Sequence, residues 1–178
     1  MADEGDVLTN LDNQPLGNGA DNQPTAGFLA QYIKDLSVEN PNAPASFQWT
    51  DAPQMDLQFN ITVNNVSDEV SEVELKINAS ATCESGQLYM VELLYAGLVG
   101  IRNLPEEQAH MFMFAEAPRI LFPFARRVMA DATRDMGFQP LMVDPIDFNG
   151  LYIQQMQDRQ QQEGSAGAGM GGPASGNA

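Results

Sequence analysis

The chain has 178 residues, enough for one domain with a sizeable core, and its 43% apolar content fits a globular protein rather than a wholly disordered one. Eight Lys and Arg stand against 24 Asp and Glu, a formal net charge of −16. That balance argues against nucleic acid and anionic membrane surfaces as partners, and for a partner that is itself basic.

Residues 1–25 hold five acids, no base and little to bury, so they read as a disordered tail. They lack the basic start and apolar run of a signal peptide. No stretch of the chain is apolar for long enough to span a membrane, which makes the cytoplasm the expected location. One ordered unit is expected over residues 26–160. Residues 161–178 read as a second tail, a Gly/Ala/Ser tract with neither a core nor a helical pattern.

A first strand is expected over about Tyr32–Glu39, stopped by the prolines of Asn40-Pro41-Asn42-Ala43-Pro44. From Met55 to Val63 every odd position is apolar and every even one polar, and Val73 to Cys83 keeps the same alternation. Period 2 sustained that long predicts half-buried antiparallel strands with one face inward and one wet. Turn residues fill the breaks at Asn64-Asn65-Val66-Ser67-Asp68 and Glu84-Ser85-Gly86. A last strand follows from Leu88 to about Val99, apolar on both faces apart from Glu92. The prediction is a four-stranded antiparallel sheet.

Spacing then turns helical. Leu121, Ala125, Val128, Met129, Ala132 and Met136 recur at three- and four-residue steps, with Arg126, Arg127, Asp131, Arg134 and Asp135 largely opposite. This long helix is expected to start at Pro118 or Pro123 and to end at Gly137, with Pro140 blocking extension. Starting at Pro118 would leave Pro123 inside, where it bends a helix. A final helix is expected from about Asp147, with Phe148, Leu151, Tyr152 and Met156 as its apolar stripe. Strands first and helices after make the fold class α+β.

Catalytic signatures are missing. The single histidine, His110, has no accompanying nucleophile elbow, and with the single cysteine, Cys83, it is too little for a zinc site. His110 reads as a surface or partly buried side chain, and Cys83 as a buried structural thiol unable to form an internal disulfide. There is no Walker A loop and no G-x-G-x-x-G motif, so no nucleotide cofactor is expected. Asp51 with Asp56, or Glu69/Glu72/Glu74, could serve as paired carboxylates, but acids on the wet face of a strand explain them more simply. The absence of an active-site pattern points to binding.

Two features stand above background. Met111-Phe112-Met113-Phe114 puts four soft or aromatic side chains in a row, hard to bury together in a small monomer. With Met90, Met129, Met136 and Met142 they suggest an adaptable apolar surface, or else an oligomer interface or plain core. Charge is also unevenly placed. Lys34 to Glu92 carries ten acids and two bases, whereas Arg102 to Arg159 carries eight acids and six bases. Asp35 and Glu39 share one face of the first strand, and Glu92 shares its face with Met90 and Leu94. Such an acidic face with apolar spots suits a basic protein, or simply keeps the sheet soluble.

The order of motifs resembles the bacterial protein-export chaperone family SecB. The resemblance rests on Tyr32-Ile33-Lys34-Asp35 leading through Glu39 into Asn40-Pro41-Asn42-Ala43-Pro44, then Ile120-Leu121-Phe122-Pro123-Phe124-Ala125-Arg126. It continues through Phe138, Pro140-Leu141, Pro145, Asp147-Phe148 and Leu151-Tyr152, and spans about Tyr32 to Gln157. The middle strands match in pattern more than in residues, and the acidic amino terminus is longer than is usual in the family. The resemblance implies a homotetramer, a dimer of dimers, built through strand edges and the long helix. It also implies an ATP-independent holdase that keeps secretory preproteins unfolded and delivers them to the SecA translocase ATPase. By the same resemblance SecA would dock at Asp35, Glu39, Met90 and Glu92. Client chains would lie in grooves lined by Trp49, Met55, Leu57, Phe59, Phe112, Met113 and Phe114, although the family's tryptophan stands at a different distance from the following proline. The rival expectation is a small-ligand-binding or enzymatic α+β domain with a closed apolar pocket.

Overall fold

The computed structural model describes residues 23–167. Of the tails expected over 1–25 and 161–178, residues 1–22 and 168–178 lie outside the described residues. Four strands, β1 (Thr25–Glu39), β2 (Gln54–Asn65), β3 (Val70–Cys83) and β4 (Gly86–Arg102), form one sheet in the order β1-β4-β3-β2. Every neighbouring pair is antiparallel. A helical stretch follows: α1 (Glu106–Met111), a π-turn over Phe112–Glu116, and α2 (Ala117–Asp135). After a loop, α3 spans Phe148–Gly167. The expected α+β class and the four-stranded antiparallel sheet are both present.

The alternation in the sequence becomes a two-sided sheet. Leu75, Ile77, Ala79 and Ala81 of β3 and Val91, Leu93 and Tyr95 of β4 are buried together with Leu121, Phe122, Ala125 and Met129 of α2. Each large side chain enclosed this way contributes about 1.5–3 kcal/mol. Lys76, Asn78 and Ser80 lie on the other face, beside Leu94, Glu92 and Met90 of β4. The helices cover one face, and the other face is bare among the described residues.

β1 begins at Thr25, well before the expected Tyr32. Its alternation is broken in the sequence because the register shifts between Phe28 and Ala30 and again between Ile33 and Asp35. Each bulge inserts an unpaired residue and resets which side chain points inward. The early part of the strand has a packing role, since Phe28 lies over Gly97 of β4. A Cβ at Gly97 would stand 2.4 Å from Phe28 Cε1 and 3.0 Å from Leu121 Cδ2. Gly97→Ala is therefore expected to cost about 1–3 kcal/mol through overpacking. Urea unfolding would measure that cost, and adding Phe28→Ala should remove part of it.

Helix begins at Glu106, earlier than either expected proline, and the Met111–Phe114 run lies inside it. Pro118 explains why the turn there is wide. Proline brings no N–H and crowds the carbonyl four residues earlier. The π-turn relieves this, because the Ala117 N–H reaches back five residues to the Phe112 carbonyl. Pro123 lies inside α2 and is exposed.

The end of α2 follows expectation. Gly137 adopts φ 92°, its N–H donates to Arg134 O at 2.9 Å, and Phe138 N–H donates to Thr133 O at 3.2 Å. This double closure needs a left-handed residue, which glycine supplies. The buried Thr133 hydroxyl then accepts the Leu141 N–H at 2.8 Å, and Arg126 donates to Val143 O at 3.2 Å. These bonds lay the loop back along α2. Asp147 caps α3, its carboxylate accepting the Gly150 N–H at 2.9 Å. The helix runs on to Gly167, past the boundary expected at 160, carried by a Gln- and Glu-containing stretch free of proline.

Candidate functional site

On the helix side, the β2 end of the sheet meets α3 and the π-turn at an apolar cleft of about 290 Å³. Phe59 and Ile61 come from β2, Phe114 from the π-turn, and Phe148, Leu151 and Tyr152 from α3. Its walls are braced by aromatic contacts. Phe122 of α2 meets Phe59 and Phe148 edge-on, at centroid distances of 6.2 and 5.7 Å. Leu151 on the rim is 53% exposed. β2 is also an edge strand, so one row of its backbone groups has no partner strand among the described residues.

The expected client-binding residues divide into groups. Phe59 and Phe114 meet at this cleft. Leu57 is half-buried one step along β2 and packs against the core. Phe112 and Met113 also pack against the core, half-buried. Met55, 45% exposed, accepts a hydrogen bond from Tyr89 at 3.6 Å, and burial pushes the Tyr89 hydroxyl pKa up. Trp49 covers the β3–β4 turn at Gly86. Gln54 pairs with Thr82 and Phe59 with Ile77, so Phe59 lies roughly 16 Å along β2 from its start. Trp49 and Met55 thus stand at the start of the strand, Phe59 and Phe114 near its middle.

Phe148, Leu151 and Tyr152 were not expected as site residues, although the apolar stripe of α3 was the available signal. His110 is half-buried, stacked on Phe114 at 4.5 Å, with Nδ1 2.9 Å from the Tyr152 hydroxyl. It holds α3 against α1. A neighbouring depression of about 440 Å³, lined by Glu106, Glu107, His110, Tyr152, Met156 and Arg159, extends the cleft past Tyr152.

On the bare face, Glu39 lies opposite Met90, Ser37 opposite Glu92, and Asp35 opposite Leu94. Residues directly opposite in an antiparallel pair share a face, so the four expected docking residues form one patch. Asp35 and Glu39 are exposed; Met90 and Glu92 are half-buried. Glu92 has a long pairing with Lys76, at 3.8 Å.

Farther along this face Lys34 pairs with Glu72 at 2.7 Å and also with Glu74, while the Tyr32 hydroxyl donates to Glu72. The Lys34 ammonium and the Tyr32 hydroxyl hold the Glu72 carboxyl below the usual carboxylate range, and the two acids raise Lys34. A depressed carboxyl contributes stability above its unfolded pKa of 4.5 and loses it as pH falls through the folded value. The melting temperature should therefore drop as pH falls below about 4.5. Glu72→Gln should flatten that limb, a change scanning calorimetry would detect.

Of the paired-carboxylate candidates, Glu72 and Glu74 meet at the Lys34 ammonium and the others stand apart. Asp51 accepts from Ser85 at 2.6 Å, Asp56 lies on the bare face beside Gln58, and Glu69 pairs with Arg102 at 2.8 Å. Cys83 is half-buried rather than buried, its thiol 3.5 Å from Gly86 O. Among the described residues no three His, Cys, Asp or Glu side chains could hold a metal ion together, and no helix is long and apolar enough to cross a membrane.

The family model described as preprotein translocase subunit SecB matches residues 19–159. The protein-export protein SecB of Erythrobacter litoralis is 70% identical over 165 residues, covering 92% of this chain and 93% of that protein. The protein of the same name from Novosphingobium aromaticivorans is 56% identical, covering 90% and 94%. A SecB-like chaperone of Mycobacterium tuberculosis, solved in complex with a peptide from an antitoxin, aligns with a TM-score of 0.57 at 16% identity, over 68% of this chain and 90% of that one. That likeness is one of fold.

Proposed function

The chain belongs to the SecB family, and from that premise we propose that it is a protein-export chaperone acting as an ATP-independent holdase in the cytoplasm. It takes up unfolded secretory preproteins on the helix side of the sheet and passes them to SecA, which docks on the bare face at Asp35, Glu39, Met90 and Glu92. The carrying observation is the cleft of Phe59, Ile61, Phe114, Phe148, Leu151 and Tyr152 beside an unpaired strand edge. An unfolded chain offers both apolar side chains and free backbone groups, and this site has a counterpart for each. Aromatic burial is worth roughly 25 cal/mol per Å² without demanding a sequence, and β2 can pair with an extended segment. Several weak contacts along one client multiply into useful avidity.

Assembly as a homotetramer, a dimer of dimers, accounts for apolar side chains left uncovered on β1 and α2. Ile33, Leu36 and Val38 are 47, 39 and 41% exposed, and Phe124 is 45% exposed. These would be enclosed by copies of the same chain.

The test is aggregation of a chemically unfolded secretory precursor diluted into buffer without ATP. Near-stoichiometric protein should suppress aggregation and leave the precursor sensitive to protease. If aggregation proceeds at the same rate at every salt concentration, the holdase reading is wrong and a small-ligand site takes its place.

A further inference from the structure

α3 is tied to the rest of the fold at few places. Its first residue, Phe148, is buried against Phe122, and the Asn149 amide donates to Glu116 at 3.5 Å. From Leu151 to residue 161 only Tyr152 and Met156 are half-buried, and the rest of that stretch is exposed. Beyond the first turn, one hydrogen bond among the described residues links α3 back to the body: His110 Nδ1 stands 2.9 Å from the Tyr152 hydroxyl. The same imidazole is stacked on Phe114, with centroids 4.5 Å apart and planes 29° apart. Phe114 and Tyr152 are two walls of the apolar cleft, one from the π-turn and one from α3. A single ring outside the cleft lining therefore touches both walls.

We propose that His110 is a positioning residue for client capture: by bonding Tyr152 and backing Phe114 it fixes the gap between two walls of the cleft before a client arrives. The inference deepens the holdase reading and rests on it. An imidazole suits the task, because its flat face stacks on a phenyl ring while a nitrogen in its edge reaches a hydroxyl. Without the bond, α3 beyond Phe148 loses its polar tie to the body. The entropy of ordering that arm would then be lost at each binding event, not once on folding. The effect falls on how long a client is held, since preorganised contacts act mainly on release.

Stopped-flow mixing of the full-length protein with a fluorescent unfolded precursor gives the capture rate, and a chase with unlabelled precursor gives the release rate. Both are measured on the parent, His110→Phe, Tyr152→Phe, the double variant and His110→Asn, with thermal melting of each. His110→Phe and Tyr152→Phe keep both rings and lose the bond, so each should release precursor about fivefold faster at an unchanged capture rate. The double variant should release no faster than either single one, because the same bond is lost only once. His110→Asn puts an amide atom where Nδ1 stood and should release close to the parent rate. Release at the parent rate in folded single variants, or additive losses in the double, would overturn the positioning role and leave the cleft as the client site. Lower melting with slowed capture that His110→Asn does not rescue would make the pair a purely structural contact, and would overturn it equally. If the parent itself captures no precursor, the holdase reading fails and this inference with it.

Discussion

Asp35→Lys combined with Glu92→Lys should weaken SecA binding by about a hundredfold or more while leaving capture of unfolded precursor unchanged. The register puts both residues on the face that no helix covers, on adjacent strands with Glu39 and Met90 beside them. Each reversal removes one negative charge and adds a positive one, so an attraction for a basic partner becomes repulsion. The ammonium introduced at 92 would also face Lys76, which now stands 3.8 Å from the Glu92 carboxylate. Association should slow most at low salt, because exposed charges are screened within about 10 Å at 0.1 M ionic strength. Surface plasmon resonance at several salt concentrations would check this. Equal loss of precursor capture would show that the two sites are not separate.

Phe114→Ser should produce the opposite pattern, loss of precursor capture with SecA binding intact. The ring lines the cleft beside Phe59 and is stacked on His110. Removing it withdraws a contact worth about 1.5–3 kcal/mol when buried against a client. That corresponds to roughly ten- to a hundredfold in affinity for a client held there. Phe112 is a poorer probe, because it packs against the core and its loss confuses binding with folding. Stopped-flow capture of a fluorescent precursor, with calorimetry to show an unchanged fold, would decide the matter. An unaltered affinity in a fully folded variant would remove Phe114 from the groove.

The middle of the sheet was legible because physics writes it plainly: one covered face and one wet face impose strict alternation on β2 and β3. The beginning of β1 was not, since two bulges swap the inward side and erase the period that Phe28 would otherwise have marked. The true start of the helix was hidden for a different reason. Prolines usually open helices, so Pro118 reads as a start, whereas here the preceding turn widens to accept it. The same turn took Met111–Phe114 out of any simple helical face and divided its members, Phe114 to the cleft and Phe112 with Met113 to the core. The patch of Asp35, Glu39, Met90 and Glu92 could be assembled from period 2 and the family resemblance.

The arrangement of the described helices on one side has a consequence for traffic through the molecule. A passenger on the helical side and a motor on the bare side would be separated by one layer of backbone, and neither stands in the other's way. If both proposed sites hold, a ternary assembly would be open, and hand-over need not begin with eviction. The passenger would then remain held until the motor has its own grip. Release then becomes a contest of pulling rates and rebinding rates, in which many shallow holds give way one after another and a single deep pocket would stall.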